Sequence, residues 1–233
     1  MIEVYLLNLT DSLEEPVEKF LHYFPIKRQE KILSYKFTAD RNRTIWAELL
    51  ARLIVAKKMS RTIEEIQIER DHSGKPYLID SALQISLSHS KNWVACSVGE
   101  VASGVDVEED SIDELTLAEF FFTAREYQQL CKLNGRARSE KFLSLWTIKE
   151  SFAKLTGRNL DAALTLDSIN ILSGCNSIVG KNFFLGKAVV GVCTEHSALP
   201  ESFTYIPTTR YLLRWIIRDN PDWCNDFIDC RKN

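Results

Sequence analysis

Several things are missing from this 233-residue sequence, and each absence removes a class of protein. The formal net charge is −3, so there is no excess of positive charge and no sign of a general nucleic-acid binder. No uncharged apolar run approaches the length of a membrane span. The opening Met1-Ile-Glu-Val-Tyr-Leu-Leu7 lacks a basic n-region and reads as a strand, not a signal peptide. No C-x-x-C pair occurs among Cys96, Cys131, Cys175, Cys193, Cys224 and Cys230. A disulfide framework is unusual in a chain this large and rich in core residues, so they read as reduced packing thiols of a cytoplasmic protein. There is no G-x-x-x-x-G-K-[ST] loop, no kinase-type motif and no low-complexity linker. What remains is 45% hydrophobic, enough for one large domain or two small ones with a substantial core.

The rest is organised around residues 103 to 157, which carry an acidic cluster at each end. In Gly104-Val-Asp106-Val-Glu108, strand alternation puts Asp106 and Glu108 on one face and Val105 and Val107 in a core. In Leu145 to Lys154, closed by Gly157 as C-cap, a helix places Trp146, Glu150 and Lys154 one turn apart. If that helix packs beside the strand, three carboxylates and a lysine converge. Carboxylates facing one point repel unless a cation lies between them, and hard oxygen ligands suit magnesium. Each cluster alone also has an ordinary reading, as a solvated strand end or a surface helix pair.

Along the chain, Ile2 to Leu9 reads as a strand, and Ser12-Leu-Glu-Glu15 as a capping box opening a helix that ends near Pro25. A basic segment follows, with Lys27, Arg28, Lys31 and Lys36, then an amphipathic helix from Ala39 to Met59 with Arg41 and Arg43 in its first turns. Strands are expected at Glu65–Glu69, Leu83–Leu87 and Trp93–Val98, with a turn at His72–Pro76 and Ser88-His89-Ser90 as a separator. Thr123 and Glu126 form a second capping box, opening a helix toward Leu133, and the long helix runs from Ser139 to Thr156. Strands near Leu166–Leu172, Lys187–Thr194 and Phe203–Ile206 and a helix from Arg210 to Arg218 complete the expectation. Trp93–Val98 and Ala188–Cys193 look alike, a faint sign of two related halves.

Four of these segments, in this order, resemble the Sfp-type 4′-phosphopantetheinyl transferases. They are Gly74-Lys75-Pro76, Ser88-His89-Ser90, Gly104-Val-Asp106-Val-Glu108 and Trp146-Thr-Ile-Lys149-Glu150-Ser-Phe-Ala-Lys154. Phe121-Phe122-Thr123-Ala124-Arg125-Glu126 also fits, and the likeness runs from about Pro25 to Cys193. Ser73 stands where some relatives carry an aromatic, and Glu30 where some carry a further lysine.

The resemblance implies an α+β fold of two similar halves about a pseudo-twofold axis, each a small antiparallel sheet packed with helices. The halves would be residues 1–102 and 103–220, followed by a tail at 221–233. It implies transfer of 4′-phosphopantetheine from coenzyme A to a serine of an apo acyl or peptidyl carrier protein, releasing adenosine 3′,5′-bisphosphate. By resemblance, Asp106, Glu108 and Glu150 are the Mg2+ ligands. The serine proton needs an acceptor, and Glu150, directly or through a Mg2+-bound water, is the best candidate, with Lys154 one turn away. Lys149 and Lys154 match lysines near the pyrophosphate. Arg43, Lys75, Pro76, Ser88 and His89 match the 3′-phosphate and adenylate region, with Lys27 and Arg28 as further basic contacts. The expected partners exclude nucleic acid and membrane, and two halves in one chain make a monomer sufficient. Two other readings compete: a coenzyme A or carrier binder without activity, and an unrelated magnesium-dependent nucleotide phosphotransferase.

Overall fold

The computed structural model describes residues 1–11, 17–109, 114–158, 163–173, 177–195, 199–218 and 228–229. The capping box expected at Ser12–Glu15, Cys175, Cys224, Cys230 and most of the expected tail lie outside these residues.

Two sheets carry the fold. Strand β1 (Ile2–Asn8) lies between β5 (Trp93–Gly99) and β9 (Thr204–Ile206). With β4 (Gln84–Ser90) beyond β5 and β10 (Ile228–Asp229) beyond β9, the order is β10-β9-β1-β5-β4. The second sheet is β6-β8-β7, antiparallel throughout, built from β6 (Ser103–Glu108), β7 (Ile178–Leu185) and β8 (Ala188–Glu195). A separate hairpin pairs β2 (Ile68–Arg70) with β3 (Pro76–Leu78) around the Asp71–Lys75 turn. Among the described residues no helix is long and apolar enough to cross a membrane.

Strand alternation gives each sheet two different faces. Ile2, Val4, Leu6, Trp93 and Ala95 of the first sheet meet Val105, Val107, Val190 and Val192 of the second in one buried layer. The outer face of the first sheet receives α2 (Thr38–Met59), whose Ile45, Leu49 and Leu50 pack on Leu7, Ile85, Val94, Cys96 and Val98. The outer face of the second receives α5 (Gly135–Thr156), through Ile148, Phe152 and Leu155 against Cys193 and through Phe142 and Leu145 against Val189. The layers therefore run helix, sheet, sheet, helix, with one 22-residue helix on each outer face.

Two glycines let α5 lie flush on its sheet. A Cβ on Gly104 would stand 1.8 Å from the Ser151 carbonyl oxygen, and one on Gly191 would stand 2.3 Å from that of Thr147. Gly191 is the cross-strand partner of Asp106, so this close approach brings Glu150 over that carboxylate.

The structure departs from the sequence reading in several places. The basic segment is a helix, α1 (Ile26–Leu33), preceded by a 3-10 helix at Glu18–Tyr23. Of the strand expected at Glu65–Glu69 only Ile68 and Glu69 are extended and paired, and Ser88-His89-Ser90 is the end of β4, not a separator. Leu166–Leu172 is no strand: Asp167 caps the Ile169 amide and opens a short helix, α6 (Ser168–Leu172). The long helix begins at Gly135, and β7 was not anticipated. Helices α3 (Glu114–Phe121) and α4 (Ala124–Cys131) fill the space before α5, α4 with the reciprocal Thr123–Glu126 capping box. After β8 the chain crosses back: β9 pairs parallel with β1, and Leu212 of α7 (Thr209–Arg218) is buried in the α2 layer. The division at 102/103 thus has later segments packed on the earlier sheet.

Candidate active site

The site lies where β4 crosses the start of the second sheet. Ser86, Ser88 and Ser90 alternate along β4 and so share a face, and each is hydrogen-bonded to the backbone or a side chain of β6. Ser86 Oγ accepts from the Val105 amide at 3.1 Å, Ser88 Oγ donates to Asp106 Oδ1 at 2.7 Å, and Ser90 Oγ donates to Glu108 Oε2. From α5, Lys154 Nζ donates to Asp106 Oδ1 at 2.7 Å and to Ser88 Oγ at 2.9 Å. Asp106 is 2% exposed, and its Oδ2 is buried with no hydrogen-bond partner.

A cavity of about 320 Å³ opens here, lined by Asp106, Glu108, Glu150 and Lys154 together with Ser88, His89, Arg28, Glu48 and Arg70. A second cavity of about 330 Å³ shares Glu150, Lys154 and Arg70 and continues past Lys75, Pro76 and Arg158. Burial, then the charge of Asp106, pushes both Glu108 and Glu150 up to about 7. Lys154 works against both shifts, and the Trp146 side chain hydrogen-bonds Glu150 one turn away. His89 faces away from Ser88 and Ser90, toward Thr44 of α2 (3.5 Å). Enclosure, then Lys154 and Arg43, holds its imidazole below the usual value and therefore neutral at pH 7.

Among the described residues no three Asp, Glu, His or Cys side chains stand close enough as they lie to hold a metal ion. The donor set nevertheless fits a hard divalent cation. All three groups are carboxylates on one cavity, Asp106 offers an unpartnered buried oxygen, and burial together with the Asp106 charge disfavours the ionised forms of Glu108 and Glu150 until positive charge enters.

The other expected residues separate into groups. Arg28 and His89 line the same cavity as the carboxylates, and Lys75 and Pro76 the adjoining one. Lys75 Nζ donates to the Leu155 carbonyl oxygen at 3.0 Å, which latches the β2–β3 turn to the end of α5. Arg43 binds Asp40 at 2.6 Å and the Lys91 carbonyl at 3.1 Å, and Lys27 is exposed on α1. Lys149 is not brought to the cavity. Its side chain is 0% exposed, bound to Glu126 Oε2 and the Leu164 carbonyl oxygen, both at 2.6 Å, and it lies over the Phe122 ring. Sequence reasoning missed Ser90, Glu48, Arg70 and Arg158. Two signals were available: the S-x-S-x-S alternation of β4, and a glutamate inside the apolar run Ile45 to Leu50.

Buried carboxylates at one end and guanidinium and ammonium groups around them make a site for a polyphosphate-bearing substrate. Comparison with known proteins narrows this class. The 4′-phosphopantetheinyl transferase superfamily matches residues 102–205, and the N-terminal part of a 4′-phosphopantetheinyl transferase matches residues 12–100. The chain is 31% identical over 155 residues to the 4′-phosphopantetheinyl transferase psf-1 of Bacillus pumilus, 66% of each chain. It is 30% identical to gsp of Aneurinibacillus migulanus (69% of this chain, 68% of that one). It is 28% identical to Sfp of Bacillus subtilis (68% and 70%). The chain belongs to the 4′-phosphopantetheinyl transferase superfamily, enzymes that move 4′-phosphopantetheine from coenzyme A to carrier proteins.

Proposed function

We propose that this chain modifies a serine of an apo acyl or peptidyl carrier protein in a Mg2+-dependent reaction that releases adenosine 3′,5′-bisphosphate. The observation that carries this reading is the single cavity shared by Asp106, Glu108, Glu150, Lys154, His89 and Arg28. Asp106, Glu108 and Glu150 would hold the Mg2+ ion, which when bound offsets charge on the pyrophosphate of coenzyme A. Lys154, fixed by Asp106 and Ser88, supplies a second positive charge to the same phosphates. Arg28, Arg43, Lys75 and His89 bind the 3′-phosphate and adenylate portion, with Lys27, Pro76 and Ser88 at its margins. Lys149 takes no part, since its ammonium is committed to Glu126.

In the reaction the serine oxygen forms a bond to the pantetheine-side phosphorus as the bond from that phosphorus to the bridging oxygen breaks. Glu150 accepts the serine proton, an effect of roughly 10²–10⁴-fold for a positioned base. The electron pair leaves with adenosine 3′,5′-bisphosphate. The two sheets with their outer helices are the two halves of the enzyme, related by a pseudo-twofold axis, and a single chain completes the site. Incubation with coenzyme A, Mg2+ and an apo-carrier tests the reading. The carrier should gain the mass of one phosphopantetheine; an unmodified carrier would leave only a binding protein.

A further inference from the structure

The same cavity carries a second charged cluster, of which the reaction above uses only Arg28. Glu48 sits mid-way along α2 with its side chain 3% exposed. One of its oxygens, Oε1, accepts from Arg28 Nε at 2.6 Å and from an Arg70 terminal nitrogen at 2.7 Å. Arg28 comes from α1, and Arg70 is the last residue of β2. The other terminal nitrogen of Arg70 donates to the Gly74 carbonyl oxygen at 2.8 Å. Three elements and a turn are therefore joined at one carboxylate. All three side chains line the cavity of Asp106, Glu108 and Glu150, and the arginines keep 18% and 31% of their side-chain surface exposed.

Two guanidinium groups on the same oxygen stand close enough to repel, and each is a long side chain with many rotamers. Without the carboxylate they would separate and fall out of register. With it they form a fixed pair of planar donors, a geometry that suits phosphate oxygens. We propose that Glu48 is a positioning residue, holding Arg28 and Arg70 as a preformed pair that binds a phosphate group of coenzyme A. This rests on the coenzyme A reading above and adds Arg70 to the ligand contacts.

The test turns on a sign. Glu48→Gln removes a negative charge from a cavity for a polyanion, so charge alone would tighten coenzyme A binding. Loss of positioning should instead weaken it about tenfold, the worth of one charge-assisted hydrogen bond. Calorimetric titration of coenzyme A into wild type, Glu48→Gln, Arg70→Gln and the double variant reads the effect, with melting temperatures measured alongside. The expected result is weaker binding for both single variants, and a double variant whose loss is smaller than their product. The Michaelis constant for coenzyme A should rise while that for the carrier stays unchanged, a split that a merely structural role would not give. Unchanged or tighter binding by a folded Glu48→Gln protein overturns the proposal. Wild-type affinity in Arg70→Gln overturns it too, and decides the matter should Glu48→Gln not fold. Wild-type protein that binds no coenzyme A removes the underlying reading and the proposal with it.

Discussion

Glu150 is asked to do two things, and one substitution separates them. Glutamine keeps an oxygen that can reach a cation but cannot accept the serine proton. Single-turnover transfer by Glu150→Gln should stay roughly 10²–10⁴-fold slow even at saturating Mg2+. Recovery to near the wild-type rate in that titration would pass the proton to water instead. Ser90 supports the neighbouring carboxylate, Glu108, through a single hydrogen bond. Its loss leaves a half-buried acceptor without that donor, so Ser90→Ala should weaken Mn2+ binding, followed by electron paramagnetic resonance, about tenfold at little cost in melting temperature. Residue types showed the sequence where the acid groups were, because Asp106, Glu108 and Glu150 recur at spacings that strand and helix geometry translate into faces. The supporting groups were harder to see. Arg70 and Glu48 are 22 residues apart in the chain, and only the packing of α2 against the hairpin joins them.

Between elements, the contact of α5 with its sheet sets the position of Glu150 over Asp106. Gly104→Ala puts a methyl group into the Ser151 carbonyl, and backbone cannot yield there as a side-chain tip would. The helix must move outward, so the variant should lose about 1–3 kcal/mol or more in urea denaturation and lose transfer activity with it. A substitution that cost stability alone would show that the helix position is not what counts. The Glu126–Lys149 pair fixes the other side of α5 to α4 and to the Ser168 amide. Burial pushes Glu126 up, but Lys149 and Ser168 outweigh it and hold the carboxyl below its ordinary value near 4.5. A lowered carboxyl stabilises the fold above that value and ceases to as pH falls through the folded one. Glu126→Gln should therefore lose about 3–5 kcal/mol at neutral pH, since Lys149 is left buried and unpaired, and should show less acid sensitivity below 4.5 than wild type. Denaturant melts across that range measure both. The same region shows why pattern reading failed locally. Leu166-Asp-Ser-Ile-Asn-Ile-Leu172 alternates like a strand, and the Asp167 cap decides for helix; β7 is an edge strand whose residues are mostly half-buried, so it carries no sharp alternation.

On the scale of the molecule, the last described segments belong to the first sheet. Leu212 is fully buried among residues of α2, far from the active-site helix in sequence and in layer. Leu212→Ala should cost about 2–5 kcal/mol and lower the whole transition as a unit. Two separate transitions by calorimetry would mean that the halves fold independently. The layers were readable in advance only in outline: the likeness of Trp93–Val98 to Ala188–Cys193 is that of β5, an interior strand of the first sheet, to β8, the middle strand of the second, while the return of β9 to β1 left no mark in the sequence.

That return has a consequence during synthesis. A ribosome delivers β1, β5 and β4 long before Thr204–Ile206 emerges, so for most of translation the nascent chain displays β1 as an open hydrogen-bonding edge. Its Val4, Leu6 and Leu7 are residues the finished protein hides completely or nearly so. The residues beyond 102 thus do more than build a second layer. They close the first, and a chain stalled or cut before β9 presents a strand that will pair with whatever it meets.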